Sequence, residues 1–511
     1  MNDWTEGYVA DIDYIYTYHR ELNPSRLPLL FLSSGLAFPE ITTACELGFG
    51  QGISVNIHAA ASEHLWYGTD FNPTQAAFAQ EVATASGAGS RLFDQSFAEF
   101  CERADLPDFD FIGIHGIWSW ISDENQTVIV DFVRRKLKVG GVLYIAYNTQ
   151  PGWATMIPMQ RLMAEHTQVA AVSGRDPIAR LDAAIDFLEK LLGVDPLFAR
   201  LNPMVSGFIT AIKQADRRAL VHEYLNCEWT PIPFGEMTKR LAQAKLTYAC
   251  SANFRDHVQA IDLTTTQQAF LAEISDETFR QSVRDLMVNQ QFRRDYWVKG
   301  PRRLSSLERV EALARQQLIL VSAPAKVALD VSSALGQLKL DEAIYSPIIE
   351  QLSDHKPSTI GEIAQVLAGS GPTPLQLQVA LMTLAEKGDL AQVRDEAALG
   401  KAKAQTDKLN LYMLTKARSI GELRYLASPV IGGGIAVPRM HQLFLLARAE
   451  GCKTPEEWVE AVWQLLSAQG ETIQKDGRPL EATEQQMAHL SGEAEEFATE
   501  RLPILQALQI A

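Results

Sequence analysis

Between Ile41 and about Asn148, short apolar runs alternate with amphipathic stretches, the pattern of a mostly parallel sheet with crossover helices. The runs predict strands at Thr43 to Leu47, Leu65 to Asp70, Ser90 to Asp94, Phe109 to His115 and Gly141 to Tyr147. Helical periodicity fills Ser54 to Ser62, Pro73 to Ser86 and Glu124 to Leu137. The expected fold class is α/β, a doubly wound Rossmann-like sheet. After Gln150-Pro151-Gly152-Trp153 the character changes to long helical periods at Met156 to Glu165, Pro177 to Leu192, Pro203 to Tyr224 and Pro233 to Leu246. The punctuation Lys299-Gly300-Pro301, after Phe292 to Trp297, marks the next boundary. From Asp341 to Val393 the order helix, turn, helix, short strand suggests a winged-helix-like unit, and the tail beyond Gly432-Gly433-Gly434 is again helical, with Trp458 and Trp463 on one amphipathic stretch. The expected divisions are therefore 1–155 for the α/β domain with its lead-in, 156–300 for a helical domain, 301–415 for a helical, winged-helix-like domain, and 416–511 for a helical C-terminal region.

A chain of 511 residues exceeds what one hydrophobic core organises, so several domains are the default. The net charge of -16 disfavours a nucleic-acid partner, since that affinity comes from Lys and Arg on phosphates. The winged-helix-like stretch does not rescue such a reading: residues 339–398 hold nine acids against four bases. Five scattered cysteines (Cys45, Cys101, Cys227, Cys250, Cys452) show no metal-ligand spacing, so no metal site is expected. The N-terminus lacks the basic-then-apolar build of a signal peptide, and no window holds the roughly 18 apolar residues of a membrane span, so a cytoplasmic protein is expected.

Glu46-Leu47-Gly48-Phe49-Gly50-Gln51-Gly52 follows the first strand. Such a loop lets a cofactor press on bare backbone. A dinucleotide fingerprint requires a further glycine three residues after the second, where this chain has Ile53, and Glu46 would repel a pyrophosphate. A carboxylate there suits a cation, such as the sulfonium and α-ammonium of S-adenosylmethionine. Asp70 ends the second strand 18 residues after Gly52, positioned to accept from ribose hydroxyls or to form a turn before Asn72-Pro73. His115, at the fourth strand's end, is a candidate for orienting the substrate or handling a proton, or a hydrogen-bonded structural histidine. Trp118 and Trp120 offer an aromatic wall or core packing, and Tyr147 and Asn148 end the fifth strand before Trp153.

The stretches Glu46 to Gly52, Ile114 to Trp120 and Leu137 to Trp153 resemble class I methyltransferases, more narrowly bacterial ones with a methyltransferase regulatory domain. Val221-His222-Glu223-Tyr224-Leu225-Asn226, with Trp229-Thr230-Pro231 and Phe234, resembles that regulatory domain. Among relatives of this architecture are rickettsial protein-lysine methyltransferases that act on outer-membrane proteins. Their tyrosine- and proline-rich lead-in is matched loosely by Tyr14, Tyr16 and Tyr18 before Asn23-Pro24. The resemblance implies S-adenosylmethionine as cofactor and S-adenosylhomocysteine as product. The expected cofactor contacts are Glu46, Gly48, Phe49, Gly50, Gly52, Asp70, Phe71, Ser96, Phe97, His115 and Gly116. His115, Tyr147 and Asn148 are expected at the chemistry, and Trp118, Trp120 and Trp153 at the substrate. The implied acceptor is a protein lysine, with a small molecule or surface-glycan precursor as the alternative.

Overall fold

The computed structural model describes residues 5, 8, 12, 14–169, 176–226, 228–369, 371–395, 399–475 and 478–511. Cys227 lies outside the described residues. One mixed sheet organises the first 300 residues: β1 (Thr43–Leu47), β2 (Leu65–Asp70), β3 (Arg91–Asp94), β4 (Phe109–Ile114), β5 (Leu137–Asn148), β6 (Thr247–Ser251) and β7 (Phe292–Val298), in the order β3-β2-β1-β4-β5-β7-β6. The first five are parallel and β7 runs antiparallel to both neighbours. The order reverses between β1 and β4, the crevice where open α/β sheets bind ligands at their strand carboxyl ends. The central strands are buried on both faces, so they read as continuous apolar runs.

Local chemistry sets the helix boundaries here. Besides α1 (Leu27–Ser33), the sheet is flanked by α2 (Ile53–Ala60), α3 (Pro73–Ser86), α4 (Phe97–Glu102) and α5 (Asp123–Lys136). Asn72 caps α3 by accepting from Thr74 N–H, Pro73 occupies its first turn, and Gly87 ends it at φ +67°. Ser96 and Glu99 form a capping box on α4; Ser122 caps α5, whose last turn carries Arg134, Arg135 and Lys136 against the helix dipole.

The stretch 156–300, expected as a helical domain, holds helices and two sheet strands. A helical insertion, α6 (Ile157–Val169) through α10 (Arg217–Tyr224), leaves the sheet after β5, but the chain returns as β6 and β7. Phe292 to Trp297 is thus part of a sheet strand, which ends at Val298 just before Lys299-Gly300-Pro301. Its polar residues disguise it: Arg293 and Asp295 point to one buried face, where Arg293 donates to Asp285 (2.6 Å) and Asp295 (2.8 Å), and Tyr147 Oη donates to Asp295 (2.8 Å). Between Gln317 and Gln392, three helices lie with a small three-stranded antiparallel sheet whose central strand, Gln317–Leu320, precedes the helices.

The C-terminal region packs back on the α/β domain: Tyr412, on the helix Leu399–Lys416, donates to Glu81 of α3 at 2.8 Å. Residues 14–26 thread between the two. Tyr18 Oη accepts from Gly434 N–H (2.9 Å) and meets His58 Nε2 (3.0 Å), and a Cβ on Gly433 would lie 2.7 Å from the Tyr18 hydroxyl. Among the described residues no helix is long and apolar enough to cross a membrane.

Arg293 and Asp295 are 4% and 1% exposed, so removing Asp295 leaves the buried Arg293 with Asp285 as its one carboxylate among the described residues and the buried Tyr147 hydroxyl without its acceptor. Asp295→Ala is expected to lower unfolding free energy by about 3–5 kcal/mol, read from urea denaturation; a change below about 1 kcal/mol would show that solvent reaches this pair.

Candidate functional site

A cavity of about 1190 Å3, counting its open side, sits at the carboxyl ends of β1, β2 and β4. The glycine loop forms one wall. Gly48, Gly50 and Gly52 all adopt left-handed backbone, at φ +74°, +56° and +71°. The loop is closed by Asp70, whose Oδ2 accepts from Gly50 N–H (2.8 Å) while Oδ1 accepts from Asn72 N–H (3.0 Å). Asp70 therefore shapes the turn and faces the cavity at once.

Glu46 is 3% exposed, lines the cavity, and its Oε2 has no hydrogen-bond partner among the described residues. Burial, then the nearby Asp70 charge, pushes its carboxyl well above the usual range. Burial likewise raises Asp70 to about 7, opposed by its two backbone donors. Two carboxyls are held in one wall with no cation beside them among the described residues, which is an acceptor set suited to a positively charged, hydroxyl-bearing ligand.

Across the cavity, His115 stacks on His19 with ring centroids 3.6 Å apart. His115 Nδ1 lies 2.7 Å from Tyr144 Oη; His19 N–H donates to Ser54 Oγ at 2.8 Å and its Nε2 lies 3.1 Å from Thr17 Oγ1. Burial pulls His19 down to about 4 and His115 well below the ordinary imidazole range; Glu21 pushes both up and Arg294 pulls both down, and burial prevails, so the pair is uncharged near neutrality. Trp120 forms a further wall, stacked on Trp229 at 5.8 Å.

The structure brings Glu46, Gly48, Phe49, Gly50, Asp70, Phe71, Ser96, Phe97, His115, Gly116 and Trp120 to this cavity. Five expected residues are elsewhere. Gly52 is the residue before α2, where its missing side chain admits Ala79 of α3: an added Cβ would lie 2.4 Å from that methyl. Tyr147 points to the opposite face of β5 and spends its hydroxyl on Asp295; Tyr144, three residues earlier, presents the hydroxyl that meets the cavity histidine. Asn148 is buried outside the cavity lining, its amide N–H donating to Ser119 Oγ at 2.9 Å. Trp118 is fully buried in the core beneath the sheet. Trp153 packs edge-on to Trp229, 5.3 Å away, behind the Trp120 wall.

Sequence reasoning missed the lead-in's part. Thr5, Tyr8, Tyr14, Thr17 and His19 line the cavity, and Tyr14 packs on His222 of α10 at 5.1 Å, so the insertion buttresses the cover. The alternate tyrosines Tyr14, Tyr16 and Tyr18 were the available signal of an extended segment with two packed faces.

The sheet order and the left-handed glycine loop at the end of β1 are those of the class I S-adenosylmethionine-dependent methyltransferase fold. A family model described as a predicted methyltransferase regulatory domain matches residues 216–299. The chain belongs to one family with protein sll1526 of Synechocystis, to which it is 38% identical over 514 residues, covering 99% of this chain and all of that one. It is also 25% identical over 297 residues to RP789 of Rickettsia prowazekii, 53% of this chain and 52% of that protein. The solved structure of PKMT2 from Rickettsia typhi in complex with AdoHcy shares the fold, with TM-score 0.70 at 16% identity, over 97% of this chain and 99% of that one.

Gly52→Ala is expected to destabilise the fold by about 1–3 kcal/mol through overpacking against Ala79 plus left-handed strain. Gly116→Ala, at φ +65° with nothing within 4 Å of its added Cβ, should cost about 1 kcal/mol. Thermal unfolding of the two variants checks the ranking; equal midpoints would show that α2 and α3 yield at this contact.

Proposed function

We propose that the protein transfers the methyl group of S-adenosylmethionine to lysine amines of a protein acceptor, within the crevice bounded by Glu46, Asp70 and the His19–His115 stack. One observation supports the cofactor seat above the rest: the buried carboxyl of Glu46 with its unpartnered Oε2. In this reading Glu46 takes the cationic methionine end and Asp70 the ribose hydroxyls. The loop Gly48 to Gly50 admits the ligand against bare backbone, and Phe71, Ser96 and Phe97 border its remaining part.

When bound, S-adenosylmethionine supplies a methyl group on a sulfonium, open to direct displacement. The chain's own task is to position an uncharged amine and to exclude water. A lysine amine, with an ordinary pKa near 10.4, must lose its proton first. His115, with Nδ1 engaged by Tyr144, leaves Nε2 free to orient the amine, and neutral imidazoles add no charge beside a cationic cofactor. Trp120, backed by Trp229, offers an aromatic face to a cationic product. The resemblance of the lead-in and of the regulatory stretch to protein-lysine methyltransferases supports the acceptor class. The winged-helix-like unit at residues 341–393, acidic in balance, fits a role in engaging protein rather than nucleic acid.

Asp70 carries a pH signature. A carboxyl raised to about 7 favours its neutral form in the empty protein, so its contribution to folding stability is full below pH about 3.8 and lost as pH rises through about 7. Cofactor binding requires the opposite, ionised form. Affinity for S-adenosylmethionine should therefore fall about tenfold between pH 8 and pH 6, and Asp70→Asn should bind weakly at both values. Calorimetry checks this, and a pH-independent affinity in the native protein would remove Asp70 from the ribose. For the acceptor, the full chain is incubated with labelled cofactor and a cell lysate: label on protein lysines is expected, and label confined to small metabolites would overturn the protein reading.

A further inference from the structure

On the far side of His19 lies a second cavity, of about 1490 Å3, between the lead-in, β7, the small three-stranded sheet and the C-terminal region. His19 borders both cavities. Their electrostatics are opposite. The first presents Glu46 and Asp70; the second is lined by Arg20, Arg26, Arg294, Lys387 and Arg501, with Glu21 as the only lining acid among the described residues. In a chain of net charge -16, five cations converging on one concavity form a local field of the wrong sign for the molecule as a whole.

Neutral partners hold most of these cations in place. Arg26 donates to Ala252 O (3.1 Å) and lies over the Phe254 ring; Arg501 donates to Val321 O (2.8 Å) and Ala436 O (2.9 Å); Lys387 donates to Asp330 O (3.0 Å). Carbonyls orient a guanidinium without cancelling its charge. Arg20 does have a carboxylate, Glu386 at 3.1 Å, and Glu21 lies 3.6 Å from Arg20 and 3.9 Å from Arg294. Those two acids leave most of the positive charge uncompensated. The Nε atoms of Arg26 and Arg294 are buried without a hydrogen-bond partner among the described residues. Burial pulls Arg501 below the ordinary arginine range, and burial with the neighbouring Arg26 does the same to Arg20 despite its two carboxylates.

We infer that this second cavity seats an anionic part of the methyl acceptor, carboxylate or phosphate, which in a protein acceptor means acidic side chains flanking the methylated lysine. The inference rests on the proposed lysine reading for the flanking residues, and on the cavity alone for the anion. Guanidinium forks and an ammonium match carboxylate and phosphate oxygens. A ligand seated there abuts His19, the same imidazole that stacks on His115 in the cofactor cavity.

The test uses the full chain and two lysine peptides of equal length, one with Asp and Glu flanking the lysine and one with Asn and Gln. KM for the acidic peptide should be about tenfold lower, the worth of one to two charge-assisted contacts, and inorganic pyrophosphate should compete with the peptide and not with the cofactor. The double variant Arg294→Gln with Lys387→Gln should raise KM for the acidic peptide to that of the neutral one while leaving cofactor affinity unchanged, which also shows that the variant is folded. Equal KM values in the native protein, or a preference that survives in the double variant, would overturn the inference. If neither peptide is methylated, the lysine reading fails and the anion site is decided by pyrophosphate calorimetry. Binding weakened about tenfold in the double variant supports it; absent or equal binding overturns it.

Discussion

Two carboxyls buried in the wall of one crevice, Glu46 and Asp70, are the constraint on which the rest of this structure depends. A carboxylate removed from water without a counter-charge is among the most unfavourable groups a fold can hold. Asp70 escapes part of that cost by accepting from two backbone amides, and in doing so it fixes the glycine loop. The bond from Gly50 N–H to Asp70 joins the turn after β1 to the end of β2. That turn needs left-handed backbone at Gly48 and Gly50, and at Gly48 a side chain would also strike Ile117, whose Cδ1 lies 2.6 Å from an added Cβ. Loop shape and crevice electrostatics are thus one device. Glu46 has no such escape: its buried Oε2 has no hydrogen-bond partner among the described residues.

The α/β domain was legible because buried parallel strands advertise themselves as unbroken apolar runs. Thr43–Leu47, Leu65–Asp70 and Pro73–Ser86 lie where periodicity puts them. β7 escaped for the converse reason: Arg293 and Asp295 satisfy each other inside the sheet, so a buried strand reads as a charged linker. The site shows the same limit at finer scale. Glu46, Asp70 and His115 follow strand ends and were found by spacing, whereas Tyr147 and Tyr144 differ only in the face of β5 to which they point. One residue of strand phase separates a core tyrosine from one at the cavity. Trp118 and Trp120 divide for another reason, since a single 3-10 turn sends one into the core and the other to the wall.

The lead-in was the least legible element, because its packing partners are hundreds of residues away. Tyr18 is held by Gly434 in the C-terminal region, Arg20 by Glu386, and Tyr14 packs on His222 in the helical insertion. Each accessory region thereby holds one part of a segment that roofs the crevice of Glu46 and Asp70. The helical and C-terminal regions are structural conditions for a closed site, whatever else they do. This explains why 511 residues surround a crevice that the first 150 could outline but not cover.

Charge is ordered along a line through that segment: the acids Glu46 and Asp70 around the first crevice, an uncharged imidazole stack, then arginines. Methyl transfer in the proposed reaction carries positive charge from sulfur to nitrogen. Near unneutralised arginines an acceptor ammonium is disfavoured. The same field would oppose the methylated, protonated product unless the acceptor brings its own anions. Acidic groups beside the amine resolve the conflict, since they neutralise the arginines on binding and leave the field near zero when the product cation forms. A neutral His19 between the two cavities suits this order: a protonated imidazole there would face arginines on one side and a sulfonium on the other, and burial already holds it at about 4.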